Sequence, residues 1–254
     1  MSETAPVAQA LSNGVLTITL SRPDKRNALN RAMIDALHSA LDRADLDAGV
    51  RVLVLEGAGV DFCAGADLDE LLASTDRTPG ENEADALRLG RLFIRMREVP
   101  KPCIAAVRGR ALAGGAGLAL ASDIVLLDAS AQIGFPEVRR GFVPAMVMTL
   151  LRRVVGEKVA FDLVATGRVV GAAEACDLGL ASRVYPAERF DDELRVLLAG
   201  LTAADASALA LTKRLFYELD GTGFAESVAL GARVNAAARE TPGFREAISA
   251  FLAR

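Results

Sequence analysis

Apolar and polar positions alternate or repeat along the chain in ways that predict its secondary structure. Val15–Leu20 alternates apolar residues with threonine, which is typical of a strand with one buried face. Asn30 is a suitable N-cap for a helix that extends to about Ala44, because apolar residues recur at helical spacing after it. Short apolar runs predict three further strands, which are buried: Val50–Leu55, Cys103–Val107 and Ile124–Asp128.

The stretch between the strands at Val50 and Cys103 carries a mixed pattern. Asp61–Leu72 predicts a loop that passes into a helix, and Ala84–Glu98 has helical spacing. The residues between them, Ala73–Glu83, are mostly polar and include a Pro-Gly pair, so we expect a loop excursion there.

A short helix of small residues is predicted at Gly114–Ala121, and the alternation of strands and helices favours an α/β fold with a largely parallel sheet. Strand patterns stop after about Val184. Four helices are predicted beyond it: Phe190–Leu201, Ala203–Leu219, Phe224–Arg239 and Pro242–Leu252. We therefore divide the chain into a core, residues 1–189, and a helical region, residues 190–254, that either mediates oligomerisation or covers the core.

Composition and charge limit the classes of partner that the protein is expected to bind. The 254 residues correspond to one large domain or two small ones. Lys and Arg total 29 against 33 Asp and Glu, and this formal charge of -4 disfavours nucleic-acid binding. No apolar run reaches the ~18–20 residues that cross a bilayer, and Met1–Ala10 lacks the basic residues of a signal peptide. We expect neither a nucleic acid nor a membrane as a partner.

Cysteine and histidine are scarce. The three cysteines, Cys63, Cys103 and Cys176, are widely spaced and form no metal-binding pattern, so we expect free thiols, a cytoplasmic location and no metal site. The one histidine, His38, lies on a predicted helix between leucines and is expected to be structural. A Ser-His-Asp hydrolase is therefore disfavoured.

Two loops rich in glycine and alanine follow predicted strands. They are Phe62–Leu68 and Gly109–Gly117. Glycine lets a ligand approach the backbone closely, and unpaired amides at the start of a helix attract negative charge. If both loops faced one pocket, their amides would stabilise a developing oxyanion. For either loop taken alone, tight packing of helix on strand is the favoured explanation. Neither GxxxxGK[ST] nor GxGxxG is present, which excludes nucleotide sites of those types.

Glu137 is the carboxylate with a candidate catalytic setting. It follows Pro136 among apolar residues, and burial in such surroundings raises a carboxyl pKa toward the range useful for acid–base catalysis. The alternative is a surface glutamate that pairs with Arg139 or Arg140 and stays ionised. The local sequence by itself favours this alternative.

Taken in order, the motifs resemble those of the enoyl-CoA hydratase/isomerase, or crotonase, superfamily. The segments are RPDKRNALN (22–30), DFCAGADL (61–68), IAAVRGRALAGGAGLALASDI (104–124), IGFPEVRRGFVP (133–144) and ATGRVVGAAEACDLGLASRV (165–184). The resemblance extends from about Val15 to the C-terminus. It implies a spiral of ββα units with a C-terminal helical trimerisation region, and a homotrimer or a dimer of trimers.

The resemblance also assigns roles to individual residues. It implies an acyl-CoA substrate of fatty acid metabolism, with the amides of Ala66 and Gly114 forming an oxyanion hole and Glu137 as the acid–base group. No cofactor is implied, because coenzyme A is part of the substrate. The residues expected to bind substrate are Lys25, Arg26, Ala64, Asp67, Leu68 and Gly115.

Two positions depart from the family pattern. Hydratases of the family hold the attacking water with two glutamates; the second corresponds to Glu137, but the first falls at Gly117. The family's lysine after the AGAD stretch is Asp69 here. One carboxylate suffices to move a proton between two carbons, so we expect isomerisation somewhat ahead of hydration. The alternatives are a catalytically weak acyl-CoA-binding protein, or a thioester hydrolase or decarboxylase that uses the same oxyanion hole.

Overall fold

The computed structural model describes residues 5–253; Met1–Thr4, from the segment in which no signal peptide is expected, and Arg254 lie outside them. Strands and helices alternate through most of the chain. The strands are β1 (Val7–Ser12), β2 (Val15–Leu20), β3 (Val52–Gly57), β4 (Cys103–Val107), β5 (Arg110–Leu112), β6 (Ile124–Asp128), β7 (Gln132–Gly134), β8 (Val169–Gly171) and β9 (Arg183–Tyr185). The helices are α1 (Arg31–Leu46), α2 (Leu68–Ala73), α3 (Pro79–Glu98), α4 (Gly114–Ala121), α5 (Ala145–Val154), α6 (Glu157–Thr166), α7 (Ala172–Asp177), α8 (Ala187–Ala203), α9 (Ala206–Glu218), α10 (Phe224–Glu240) and α11 (Pro242–Leu252).

The main sheet has six strands in the order β1-β2-β3-β4-β6-β9. The β1–β2 hairpin is antiparallel, and its turn uses Asn13 and Gly14 at φ of 49° and 78°. All the other neighbours in this sheet are parallel. The prediction of an α/β fold with a largely parallel sheet is confirmed.

A second, smaller sheet has the order β5-β7-β8, with β5 parallel and β8 antiparallel to β7. The β5 strand leads directly into α4, and β7 leads into a 3₁₀ turn at Pro136–Arg140. This small sheet therefore fixes the start of the small-residue helix relative to the turn that carries Glu137.

Helices cover one face of the main sheet because their apolar residues recur on one side. Met33, Leu37 and Leu41 of α1 are buried in the principal core, and the Asn30 side chain accepts a hydrogen bond from the Met33 amide at 2.9 Å, as predicted. Every residue of α4 is buried, and its glycines leave no room for a side chain where neighbouring elements approach them closely. His38 of α1 contacts the carbonyl of Arg88 through Nε2 at 3.2 Å, which is a structural role.

The prediction of a loop at Ala73–Glu83 is wrong. A 3₁₀ turn occupies Ser74–Asp76, and α3 begins at Pro79. Thr78 and Glu81 form a reciprocal capping box, and proline is favoured at the first helical position because its missing N–H has no intrahelical partner. The Pro-Gly pair that suggested a turn therefore starts a helix.

The helical region packs on the core. Phe190 and Leu194 of α8 lie on the second face of the main sheet, in a cluster with Val52, Val54, Ile104, Ala106 and Leu126. The predicted division into residues 1–189 and 190–254 stays a prediction, but α8 serves as a covering layer of the sheet. Among the described helices none is by itself long and apolar enough to cross a bilayer; α8 and α9, bent by 103°, pass that test only as a pair.

Buried polar contacts attach α9 to the core through Lys213. Its Nζ donates to the carbonyl oxygens of Met96 at 2.7 Å and Lys101 at 3.0 Å, and it pairs with Asp123 at 2.8 Å. The same Asp123 carboxylate accepts from the Tyr217 hydroxyl at 2.7 Å. Both α9 side chains therefore bind where α3 ends and β6 begins.

Candidate active site

Internal hydrogen bonds hold the loop that follows β3. The side-chain nitrogen of Asn27 donates to the carbonyls of Ala58 and Asp61, each at 2.8 Å. The Asp61 carboxylate accepts from Arg110 Nε and Nη2, both at 2.9 Å. Burial alone would raise the pKa of Asp61, but the bonds from Arg110 hold it below its usual value. An ionised pair thus joins this loop to β5.

Asp67 is the second anchor of the same loop. Its carboxylate is buried, pairs with Arg22 at 2.8 Å and accepts from the amide of Asp69 at 3.1 Å at the start of α2. Burial opposes ionisation, but the bond from Arg22 leads the contacts that keep the pKa of Asp67 low. Asp67 is among the residues expected to bind substrate, which stays a prediction; because its carboxylate is engaged internally, its backbone is the part left for such a contact.

The two glycine- and alanine-rich loops run side by side. The Cys63 amide donates to the carbonyl of Arg110 at 2.9 Å, and the Leu112 amide donates to the carbonyl of Cys63 at 2.9 Å. A Cβ built on Gly65 would lie 2.9 Å from the Cβ of Ala113 and 3.7 Å from the Gly114 nitrogen. The loops therefore meet at the point where the sequence suggested two donors.

Between Cys63 and Asp67, two backbone amides donate to no backbone carbonyl among residues 5–253. The Cys63, Ala64 and Asp67 amides donate to backbone carbonyls. The Gly65 amide, which donates to no backbone carbonyl among residues 5–253, acts to lower the pKa of the Cys63 thiol. For Ala66 no acceptor occurs among residues 5–253. Gly114 is the first residue of α4, so its amide has no intrahelical acceptor and lies at the positive end of that helix.

Both free amides follow a residue in the left-handed region. Gly65 has φ of 100° and Ala113 has φ of 50° with ψ of -121°. For alanine this backbone conformation is strained by about 1–3 kcal/mol, and such strain persists only where the surroundings enforce it. The Ala113 amide is held by the carbonyl of Gly134 at 2.9 Å. The peptide that carries the Gly114 donor is thus fixed by the small sheet.

Glu137 lies in the 3₁₀ turn after β7, three residues beyond Gly134. The residue is 7% exposed, and its Oε2 is buried with no hydrogen-bond partner among the described residues. Burial raises the pKa of Glu137, against the opposing effects of its own backbone amide and of Arg140. An unpaired buried carboxylate with a raised pKa is suited to accept and return a proton.

The alternative of a surface Glu137 paired with arginine is wrong. Arg139 Nε donates to the Thr166 carbonyl at 3.1 Å. Within residues 5–253, no ion pair joins Glu137 to Arg139 or Arg140. Of the apolar residues around Glu137 in the sequence, Phe135 is buried, whereas Val138 and Phe142 are exposed, so the local sequence alone did not indicate the burial of Glu137.

Comparison with known proteins identifies the fold and family. A sequence model described as enoyl-CoA hydratase/isomerase matches residues 10–254. The chain belongs to this family. A crystal structure of enoyl-CoA hydratase from Mycobacterium smegmatis superposes with a TM-score of 0.95 at 32% identity, over 98% of this chain and 96% of the other. The fold is therefore the crotonase fold, with its C-terminal helical region.

Two related sequences carry different activities in their names. A Thermus thermophilus protein, provisionally named enoyl-CoA hydratase, is 44% identical over 96% of this chain and 97% of its own length. The 1,2-epoxyphenylacetyl-CoA isomerase of Escherichia coli is 32% identical over 96% of this chain and 94% of its own length. The protein is accordingly an enzyme of the lyase/isomerase type that acts on an acyl-CoA thioester.

In this member of the family, the residues expected at the coenzyme A end have mixed surroundings. Arg26 and Leu68 are exposed and Ala64 is half-buried, which leaves them accessible. Lys25 forms an exposed ion pair with Asp69 at 3.0 Å, and the hydrogen bond to Asp69 raises the pKa of its ammonium group. Asp69 therefore holds Lys25, the one lysine predicted to bind coenzyme A.

Gly115 and Gly117 lie on packed faces of α4. A Cβ on Gly115 would come within 2.7 Å of the Cβ of Cys63, so close packing explains this glycine. A Cβ on Gly117 would lie 2.5 Å from Phe93 Cζ and 2.7 Å from Val147 Cγ1. Position 117 thus lacks a carboxylate, and the side chains of Phe93 and Val147 occupy the space beside it. Nothing in the sequence pattern indicated that Phe93 would be this neighbour.

The free cysteines are not placed for catalysis. Burial raises the pKa of the Cys63 thiol to about 12 and that of the Cys103 thiol to about 11, so both stay protonated near neutral pH. Cys176 is also free and is half-buried. In the described part of the chain, no three His, Cys, Asp or Glu residues are grouped closely enough to bind a metal ion.

Proposed function

We propose that the enzyme converts enoyl-CoA thioesters through an enolate, with Glu137 as the single acid–base group. The observation that carries the proposal is the buried Oε2 of Glu137, which has no hydrogen-bond partner within residues 5–253. The free amides of Ala66 and Gly114, at the contact between the two loops, support it.

In the proposed reaction, the thioester carbonyl oxygen accepts hydrogen bonds from the Ala66 and Gly114 amides. Glu137 removes a proton from the carbon next to the carbonyl, and the negative charge that develops on the oxygen is stabilised by the two donors. One preorganised donor of this kind is worth about 2.7–4 kcal/mol in the transition state. Returning the proton to a different carbon shifts the double bond, with no atom gained or lost.

Isomerisation is proposed somewhat ahead of hydration. A single carboxylate is sufficient to carry a proton from one carbon to another, whereas water addition also requires an ordered water with several polar partners. Gly117 offers no such partner. The names of the relatives include a hydratase and an isomerase, the latter of an epoxide, so both reaction classes occur among related sequences.

The same proposal covers binding and location. Arg26, Ala64, Leu68 and the backbone near Asp67 would contact coenzyme A, with Lys25 available once it separates from Asp69. The proposed chemistry requires no further cofactor, since coenzyme A is part of the substrate. A cytoplasmic location stays a prediction that rests on the cysteine pattern.

We further propose a homotrimer or a dimer of trimers, assembled through the C-terminal helices. Large apolar side chains are exposed on those helices: Phe216 is 69% exposed, Phe224 87% and Phe251 74%. Exposed apolar groups of this size on neighbouring helices favour a protein interface. Light scattering of the purified protein measures the assembly, and a monomer at micromolar concentration would contradict the proposal.

The function is tested with Glu137→Gln, which removes the base and keeps the shape of the side chain. We expect at least ~100-fold slower turnover of 2-enoyl and 3-enoyl-CoA substrates, with unchanged coenzyme A binding. The control is Glu157→Gln, a change at an exposed glutamate of α6 that should leave turnover as it is.

One outcome would refute the proposed mechanism, and two others would indicate a different function. Full activity in Glu137→Gln would refute the proposed mechanism. Release of free coenzyme A, detected with a thiol reagent, would indicate the hydrolase. Binding without turnover of any enoyl-CoA by the unmodified protein would indicate the acyl-CoA-binding protein.

A further inference from the structure

The contact between α3 and α4 brings carbon side chains next to the proposed donor. Gly114 and Gly117 are three residues apart in α4 and therefore lie on the same side of that helix. A Cβ on Gly114 would face Leu89 Cδ2 at 3.6 Å, and a Cβ on Gly117 would face Phe93 Cζ at 2.5 Å. Leu89 and Phe93 are four residues apart in α3, so one ridge of α3 lies along this side of α4.

The space beside Gly117 is closed. Phe93 and Val147 are each 3% exposed, and both approach the point where a side chain at position 117 would begin. Neither side chain has a polar atom. A buried water needs roughly two to four polar partners, and an apolar space of this kind stays dry.

We propose that Phe93, together with Val147, is a specificity-determining residue that keeps water away from the reacting thioester one helical turn from the Gly114 amide. The inference rests on the proposed function, because it concerns which of two reactions the same donors and the same base carry out. Isomerisation moves one proton through Glu137. Hydration forms a C–O bond at the third carbon and a C–H bond at the second, and both the oxygen and the hydrogen come from a water that this space does not admit.

The occupancy of the space is tested first, by stability and without any substrate. Gly117→Ala should lower the urea unfolding midpoint, because the new methyl group overlaps the Phe93 ring. In a Phe93→Leu background, which removes the outer part of the ring, the same Gly117→Ala change should shift the midpoint by less than half as much. Equal shifts in the two backgrounds would show that Phe93 does not occupy the space.

The effect on specificity is tested by comparing hydration of a 2-enoyl-CoA with isomerisation of a 3-enoyl-CoA. Gly117→Glu alone should give no increase in the hydration-to-isomerisation ratio, because the carboxylate has no room. Phe93→Ala combined with Gly117→Glu should raise this ratio at least about 100-fold, the low end of what a positioned acid–base group contributes. The matched control is Phe93→Ala with Gly117→Gln, which has the same shape without a base and should stay near the original ratio.

The outcomes separate this inference from the proposed function. If the unmodified enzyme isomerises and the Glu and Gln double variants give the same ratio, Phe93 does not determine specificity and only this inference fails. If Gly117→Glu alone raises hydration, the space is open and the inference is again wrong. If the unmodified enzyme and all variants turn over neither substrate, the proposed function fails, while the stability comparison still reports whether Phe93 fills the space.

Discussion

Replacing Ala113 by glycine should make the protein more stable and the enzyme slower. Ala113 adopts φ of 50° and ψ of -121°, which glycine adopts freely and alanine does not. Relief of strain is worth about 2 kcal/mol, within the range for such residues. Two effects oppose this stabilisation. The greater conformational freedom of glycine in the unfolded chain costs about 0.7 kcal/mol, and the loss of the half-buried methyl group costs about 0.4 kcal/mol. A net stabilisation of about 1 kcal/mol remains.

The rate should fall because the strained residue orients the next peptide. The Ala113 methyl group lies against Gly65, whose own following amide is the other proposed donor. Losing one donor outright costs about 2.7–4 kcal/mol, so a loosened donor should cost less. We expect kcat to drop about tenfold, with little change in KM for the thioester.

Urea unfolding measures the first effect and steady-state kinetics the second. Ala236→Gly is the matched control: it lies on an exposed side of α10, where glycine should destabilise by about 0.5–1 kcal/mol and leave kcat unchanged. A loss of stability in Ala113→Gly as large as in the control would refute the assignment of strain. A stabilised variant with full kcat would show that the strain does not serve the donor.

Two further predictions follow from buried charges. Lys213→Met removes a 2.8 Å ion pair with Asp123 and two bonds to carbonyls. It should destabilise the protein by about 3 kcal/mol in urea unfolding, because the half-buried Asp123 carboxylate loses its cation and two carbonyls lose their donor. A loss no greater than that of Arg195→Met, whose partner is exposed, would contradict it. For Glu137, a folded pKa raised above the ordinary 4.5 means that its contribution to stability is fully present below that value and is lost as pH rises through the folded pKa. Glu137→Gln should therefore be more stable than the unmodified protein at about pH 8 and equal to it at about pH 4, and an unfolding midpoint difference independent of pH would contradict the raised pKa.

Elements with strong local patterns could be predicted closely from the sequence. β4, α4 and β6 begin and end at the predicted residues, because continuous apolar runs between turn residues specify buried elements without tertiary information. By contrast, β5, β7 and β8 have three residues each, too few for a period to be visible. Their pairing depends on contacts that are distant in the sequence.

Contacts between residues distant in the sequence also limit what could be predicted of the candidate site. The motifs predicted which loops carry Ala66 and Gly114, but the bonds between Cys63, Arg110 and Leu112 that align those loops are purely tertiary. The burial of Glu137 distinguishes a candidate acid–base group from a surface residue paired with arginine. This burial depends on which distant parts of the chain pack against Glu137. The neighbour of Gly117 could not be predicted either, because no local pattern links α3 to α4.

The hydrogen bonds that hold residues 61–67, the loop that carries the Ala66 amide, have a consequence for how this enzyme can diversify. Residues 61–67 are held by hydrogen bonds to Arg22, Asn27, Leu29 and Arg110, which lie outside this loop. The stretch from Leu68 to Arg77 begins just beyond the last anchor and has exposed apolar positions such as Leu72. Mutations there can change the surface beside the proposed donors over evolutionary time while the Ala66 amide keeps its position.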